Sequence, residues 1–308
     1  LVHRHHFVND QTAWLDDWLR RFEAQGLAAV AVFAQQVDDA TLQQLLGQPG
    51  VPGQAAVRVL VSHQLLTQAG RLQPLLSTWQ TPLLITQPYR RGDAQAWAAD
   101  ATGLPSSDVP FYLAQPESAG GIDPVVVTAH GDGGQTVTLL PRQADAVVAK
   151  AKRLIHLQRQ PVADRQMVAM VYNYPPGGAN FGASFLNVPR SLASVSEGLG
   201  RAGYTVPPVP ETQWVEGLKP LLMAYYPQAD LQGLLQHDQA AALPLRDYLA
   251  WYRTQPAAWR ERVEAQWGKP EQSRYVVNWQ GQAVFVIPRL QAGHLAVLPQ
   301  PPREETLH

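Results

Sequence analysis

The stretch "NYPPGGANFGASFLNVP", residues 173–189, follows the hydrophobic run QMVAMVYN and carries two adjacent prolines and three glycines before a helix-like segment begins. A strand, a glycine loop and a helix start, in that order, are how phosphate-binding loops are built. Nucleotide binding is therefore the first chemistry to weigh. A P-loop requires G-x-x-x-x-G-K-[ST], in which the lysine and the hydroxyl reach the phosphates and magnesium. Gly177 and Gly182 have the spacing, but Ala183 and Ser184 follow them, and no lysine occurs from 153 to 218. GGANFG does not match the dinucleotide fingerprint G-x-G-x-x-G either. The loop lacks the parts to hold ATP, which leaves a structural turn or the cradle of another ligand. Gly177, Gly178, Gly182, Ala183 and Ser184 would let a flat or bulky ligand approach the backbone closely. Carboxylates on the rim of such a ligand would suit the helix N-terminus at Asn187–Val188.

The elements that must position this loop read as alternating strands and helices. LVHRHHFV (1–8) is expected as a strand and DQTAWLDDWLRRFEAQG (10–26) as an amphipathic helix, with Trp14, Leu15, Trp18, Leu19 and Phe22 on one face and Gly26 as its terminator. LAAVAVFA (27–34) is expected as a buried strand. A helix near 38–47, a strand at RVLVSH (58–63), a helix around 65–79 and a strand at PLLITQ (82–87) follow. Continuous apolar strands separated by helices indicate a parallel sheet covered on both faces, and the expected fold is α/β, a flavodoxin-like three-layer domain over residues 1–160. FYLAQPE and IDPVVVTAHGDGGQTVTLLP read as short strands of a small β insertion near 108–141, with HGDGG (130–134) as the hairpin turn. A polar helix at 142–160 leads to a second α/β domain, 161–308. There MVAMVYN, the glycine loop, a helix near 188–203 and YTVPPV repeat the βαβ theme, 211–268 reads as helical, and YVVNW with QAVFVIPRL reads as a hairpin turning at Gln280–Gly281.

The 308 residues suffice for two domains. With 24 basic against 25 acidic residues there is no electrostatic footprint for nucleic acid. The absence of cysteine excludes disulfides, thiolate catalysis and cysteine metal sites. No apolar run approaches the length of a bilayer span, and no signal-peptide pattern precedes the first folded-looking segment, so a cytoplasmic protein without a membrane span is expected. The chain begins at Leu1 and stops at PPREETLH soon after a hydrophobic run, which reads as a piece of a longer polypeptide.

The segment "VYNYPPGGANFGASFLNVPRSLASVSEGLGRAGY" resembles the large subunits of the class I tetrapyrrole metal chelatases, the CobN and magnesium-chelatase H family, and looks closer to the CobN side. Asn173, Tyr174, Pro175, Pro176, Gly182, Leu186, Asn187, Val188, Pro189, Ser191 and Leu192 carry the likeness. RHHFV resembles the family's R-x-H-[YF]-[LV] through Arg4, His6 and Phe7. "GLPSSDVPFYLAQPESAGGIDPVVVTA" is similar to a segment ending P-E-x-D-G-x-I through Pro116, Glu117, Gly120 and Ile122. "YLAWYRTQPAAWRERVEAQWGKP" and "GHLAVLPQPPR", the latter through Gly293 and Gln300–Arg303, also have counterparts. The chain departs from the pattern at Ala119, where the family has an aspartate, at Arg190, where an acidic or small residue is usual, and at Glu304, where a glycine commonly stands.

The resemblance implies insertion of a divalent metal into a tetrapyrrole. For the CobN side that is Co2+ into hydrogenobyrinic acid a,c-diamide, in aerobic cobalamin biosynthesis. ATP and Mg2+ would be bound by AAA+ partner subunits and not by this chain. The alternatives are a magnesium-chelatase H-like porphyrin chelatase and a non-catalytic tetrapyrrole-binding protein. Insertion needs a desolvated ion and a base for the two pyrrole N–H protons, and histidine and carboxylate suit both. His6 and Glu117 are the candidate catalytic and metal-holding residues. On a strand Arg4 and His6 would share a face, with His3 and His5 opposite, so Arg4 could take a ring carboxylate beside His6. A solvated strand end for His6 and a surface or capping carboxylate for Glu117 are the plain alternatives. Tyr174 and Phe181 could stack on the macrocycle or pack as a lid, and Gly177, Gly178, Asn180, Gly182, Ser184 and Asn187 would complete the cradle. Arg303 could bind an anion or form a boundary salt bridge. His63 reads as a satisfied structural histidine, and His130 with Asp132 as turn residues.

Overall fold

The structure, a computed structural model, describes residues 1–34, 39–46, 57–66, 69–172 and 185–301. It divides into two compact units, Leu1–Arg159 and Gln160–His308.

The first unit runs β1 (Val2–His3), α1 (His5–Val8), α2 (Ala13–Ala24), β2 (Phe33–Ala34), α3 (Asp39–Leu46), β3 (Leu60–Ser62), α4 (Ala69–Trp79), β4 (Leu83–Asp93), α5 (Ala94–Ala99), α6 (Gln115–Ser118), β5 (Gly121–His130), β6 (Val137–Leu139) and α7 (Pro141–Arg159). β1 pairs with β2, β3 with β4 and β4 with β5, all parallel, and β6 closes the edge antiparallel to β5. A parallel bridge between Val2 and His63 joins the two parts. The resulting order, β2-β1-β3-β4-β5, reverses direction between β1 and β3, as a doubly wound sheet does at its switch point.

Alternation along the strands feeds two cores. Leu83 and Ile85 face Leu42, Leu72 and Leu76 of α3 and α4, while Leu84, Val127 and Val2 face Trp14, Trp18 and Val148 of α2 and α7. α2 forms because its tryptophans and Leu15 fall on one stripe, and it ends at Gly26, whose φ of 74° a residue with a Cβ seldom adopts.

Several expectations are corrected. The strand expected over 1–8 is two residues long, because Arg4 already has helical dihedrals and opens α1. Of LAAVAVFA only Phe33–Ala34 pairs. FYLAQPE is not a strand: Pro110–Ala114 is a π-helix continued by α6, with prolines at both N-terminal first turns, where their missing N–H costs nothing. β5 is an integral parallel strand beside β4, so the segment near 108–141 is no insertion.

The second unit contains β7 (Met167–Val171), α8 (Val188–Arg201), α9 (Glu211–Met223), α10 (Leu231–Gln236), β8 (Ala240–Pro244), α11 (Leu245–Arg253), α12 (Ala257–Trp267), β9 (Val276–Trp279), β10 (Gln282–Pro288), β11 (Leu290–Ala292) and β12 (Leu295–Pro299). β12 pairs parallel with β7 and antiparallel with β11, and this sheet packs Val171, Leu295 and Val297 on Leu192, Leu218 and Leu221 of α8 and α9. β8-β10-β9 form a second sheet, whose β9–β10 turn is made at Gln280 and Gly281 with φ of 50° and 81°, the dihedral signs of a type I′ hairpin. YTVPPV forms no strand, and β8 interrupts the stretch 211–268. Among the described residues no helix is long and apolar enough to cross a membrane.

Candidate functional site

In a parallel sheet all carboxyl ends of the strands emerge on one edge, and the switch point leaves a crevice there. The first unit fills that crevice with imidazoles. β1 ends at His3 and passes into α1, which carries His5 and His6. β3 is followed by His63, and β5 ends at His130. Together with Tyr89 and Arg90 of β4, these residues line a cavity of about 550 Å³, a size usual for small-molecule sites. No carboxylate lines it among the described residues.

His63 is held rigidly. The Thr86 hydroxyl donates to the Ser62 carbonyl oxygen at 3.0 Å, so its oxygen accepts from His63 Nδ1–H, also at 3.0 Å. The remaining Nε2 lone pair faces the Thr128 hydroxyl at 3.1 Å. One neutral tautomer satisfies every one of these contacts. Burial, with the charge of neighbouring His6 as a lesser cause, lowers the His63 pKa to about 3.

His6 differs. It is 7 % exposed, its ring lies edge-on to Trp14 at 5.4 Å between centroids and 6.3 Å from His63, and its Nδ1 is buried without a hydrogen-bond partner. Burial first, then His5 and His3, push its pKa down to about 4, so it is a neutral imidazole at neutral pH. The His5 ring lies against it, centroids 3.8 Å apart and tilted by 36°. His5 also points its Nδ1 at that of His3, 2.7 Å away. Because the His5 backbone N–H donates to His3 Nδ1, His3 Nδ1 is the acceptor in both contacts and His5 supplies the Nδ1–H. Burial and His3 lower the His5 pKa.

The residues singled out from sequence are dispersed. Arg4 is exposed at the N-terminus of α1 and does not line the cavity. The shared Arg4–His6 face is corrected, because a helical turn replaces strand parity, and the guanidinium at the cavity is Arg90. Glu117 is exposed on α6, ahead of the amino end of β5, whereas the cavity lies at the carboxyl end, roughly 30 Å along a strand of this length. His6 and Glu117 therefore do not form one site in this unit. Asn187 in the second unit is committed to capping: its Oδ1 accepts from Arg190 N–H at 3.0 Å and its Nδ2 donates to Glu211 at 3.1 Å. Tyr174, Gly177, Gly178, Asn180, Phe181, Gly182, Ser184 and Arg303 lie outside the described residues. Sequence reasoning missed His3, His5, Tyr89 and Arg90. The usable signal was the position of the histidines between the first strand and an amphipathic helix, where a βα loop of an open sheet carries its ligand.

The family model described as CobN/Magnesium Chelatase matches residues 1–307. The H-type subunit of the magnesium chelatase of Rhodobacter capsulatus is 26% identical to this chain, over 98% of the chain and 26% of its own length. The aerobic cobaltochelatase CobN of Pseudomonas aeruginosa is 25% identical, over 88% of the chain and 22% of its own length. Among solved structures, the catalytic subunit of cobaltochelatase from Mycobacterium tuberculosis has the same fold over 98% of this chain and 26% of its own, with a TM-score of 0.70 at 21% identity. The chain spans about a quarter of the length of the relatives it matches.

Proposed function

The chain belongs to the CobN/magnesium chelatase family, and we propose that it supplies the metal-handling wall of the tetrapyrrole cleft in the large subunit of such a chelatase. In the finer reading the metal is Co2+ and the ring is hydrogenobyrinic acid a,c-diamide, with ATP hydrolysed on AAA+ partner subunits. The observation that carries the proposal is the buried, unpartnered Nδ1 of His6 in a cavity at the sheet's switch point. Insertion removes two pyrrole N–H protons and strips water from the ion. A neutral imidazole can accept either a proton or a metal ion. Arg90 at the same cavity suits a ring carboxylate, and Tyr89 and Tyr112 offer aromatic surface to the macrocycle. The absence of a Walker motif from the sequence supports ATP chemistry on partners.

Magnesium insertion into a porphyrin is the second reading, favoured by the equal similarity of the magnesium-chelatase relatives. The test is titration of the chain with hydrogenobyrinic acid a,c-diamide and, separately, with protoporphyrin, following ring absorbance and tryptophan quenching. Saturable binding of the corrinoid with weaker porphyrin binding is expected. The reverse order supports the second reading, and no binding of either ring overturns the cleft assignment.

A further inference from the structure

We infer that Gln64 forms a carboxamide-reading subsite in the wall of the first unit's cavity, one that takes a primary carboxamide of the bound ring and selects against a carboxylate in the same place. The inference rests on the reading of this cavity as part of the tetrapyrrole cleft and deepens it by naming the peripheral chemistry that the site selects and the residue that selects it.

Gln64 follows His63 just beyond the carboxyl end of β3 and lines the cavity. Its backbone carbonyl accepts from the Ser62 hydroxyl at 3.4 Å. Its side-chain amide has no such partner: Oε1 and Nε2 are both buried, and neither makes a hydrogen bond. Folded proteins seldom leave one buried polar atom unpaired, because its lost hydration is not repaid. Here a single amide leaves both its donor and its acceptor unpaired. The residue as a whole is half-buried, so its stem borders open space. Since no hydrogen bond holds the amide where it lies, turning it into the cavity about its side-chain torsions breaks none. Among the described residues of the lining, Gln64 is the one carboxamide and Arg90 the one guanidinium, and there is no lysine.

The unpaired atoms set the ligand chemistry. A group that satisfies Gln64 must bring a donor and an acceptor side by side. A primary carboxamide does so: its N–H donates to Oε1 while its carbonyl oxygen accepts from Nε2–H, and the two bonds close a cyclic pair. The pair forms whichever way round the Gln64 amide is turned. A carboxylate brings acceptors alone. It can take the Nε2–H, but it leaves Oε1 unpaired and sets a charged oxygen against it. Arg90 has the opposite preference, since a guanidinium has donors only and pairs with a carboxylate. His63 cannot stand in for Gln64, because Thr86 and Thr128 already engage both its nitrogens. A ring that fits both Gln64 and Arg90 therefore carries carboxamides and carboxylates together. Hydrogenobyrinic acid a,c-diamide is such a ring. Protoporphyrin, whose polar side chains are carboxylates, is not.

The experiment compares, by ring absorbance at pH 7.5, the affinity of the chain for hydrogenobyrinic acid a,c-diamide and for hydrogenobyrinic acid, the same ring with both amides as carboxylates, in wild type and in Gln64→Leu. The expected result is a preference of the wild type for the diamide of about tenfold or more, the worth of one good hydrogen bond. In Gln64→Leu the preference should fall to about threefold or less, chiefly through weaker binding of the diamide. Urea denaturation gives a second readout that needs no ring: Gln64→Leu should be no less stable than the wild type, because the amide it removes makes no hydrogen bond. Gln64→Met, unbranched like glutamine, serves if Gln64→Leu does not fold. Equal affinity of the wild type for the two rings, or an undiminished preference in the variant, would overturn the inference while leaving the cleft assignment, since a ring is still bound. A loss of stability in Gln64→Leu would show the amide holding the fold and would overturn it as well. Binding of neither ring would overturn both.

Discussion

Acid should destabilise the first unit through His63, and the size of the effect follows from its surroundings. The unfolded chain protonates this imidazole near its ordinary pKa of about 6.5. In the folded unit burial lowers that value to about 3, so the folded state refuses the proton that the unfolded state accepts. Stability from this group is complete above pH 6.5 and is lost as pH falls, down to about 3. At pH 5 the loss is about 2 kcal/mol relative to pH 7.5. His63→Gln removes the titration while keeping a donor for Thr86 and an acceptor for Thr128. Urea denaturation of both proteins, followed by tryptophan fluorescence, reads the effect, since the Trp14 ring lies 5.0 Å from His63. The wild type's advantage over the variant should shrink by about 2 kcal/mol between pH 7.5 and pH 5. Parallel profiles over that range would refute the buried neutral histidine. His6 titrates in the same direction but is present in both proteins and cancels in the difference.

Thr86→Val and Thr128→Val should each cost about 1–3 kcal/mol in urea denaturation at pH 7.5, because each leaves one buried His63 nitrogen without its hydroxyl partner; a neutral result for either would contradict that contact. Gly121→Ala should destabilise the first unit by about 1–3 kcal/mol, since its Cβ would stand 2.6 Å from Ile85 Cγ1 and 2.8 Å from the Pro116 carbonyl; a neutral thermal melt would count against the packing of β5 on β4. Leu218→Ala, fully buried in the second unit, should cost about 2–5 kcal/mol there, as a thermal melt would read; an unchanged melt would contradict its place in that core.

What the sequence makes legible is periodic. The tryptophan stripe of α2, the long α7 and the Gln280–Gly281 hairpin follow from spacing and turn chemistry alone, and the chelatase family was legible in short segments spread along the chain. What fails are short elements decided by tertiary context. Strand parity pairs Arg4 with His6 only if residues 1–8 are extended. The structure stops β1 at His3, and the single helical turn of α1 turns His6 inward to Trp14 with the tilted His5 ring against it. FYLAQPE reads as apolar and strand-like, yet Pro110 just before it and Pro116 within it fit helical first turns. Glu117 satisfies a motif but stands at the opposite edge of the sheet from the histidine cavity, because motif order along a chain does not say which end of a strand it will occupy.

The most direct measurement compares hydrogenobyrinic acid a,c-diamide binding by wild type, His6→Ala and Glu117→Ala under identical conditions. The account predicts an affinity at least tenfold weaker in His6→Ala and an unchanged one in Glu117→Ala, since only His6 lines the cavity at the carboxyl edge. Loss of binding in Glu117→Ala with full binding in His6→Ala would move the site to the opposite edge of the sheet and contradict the account.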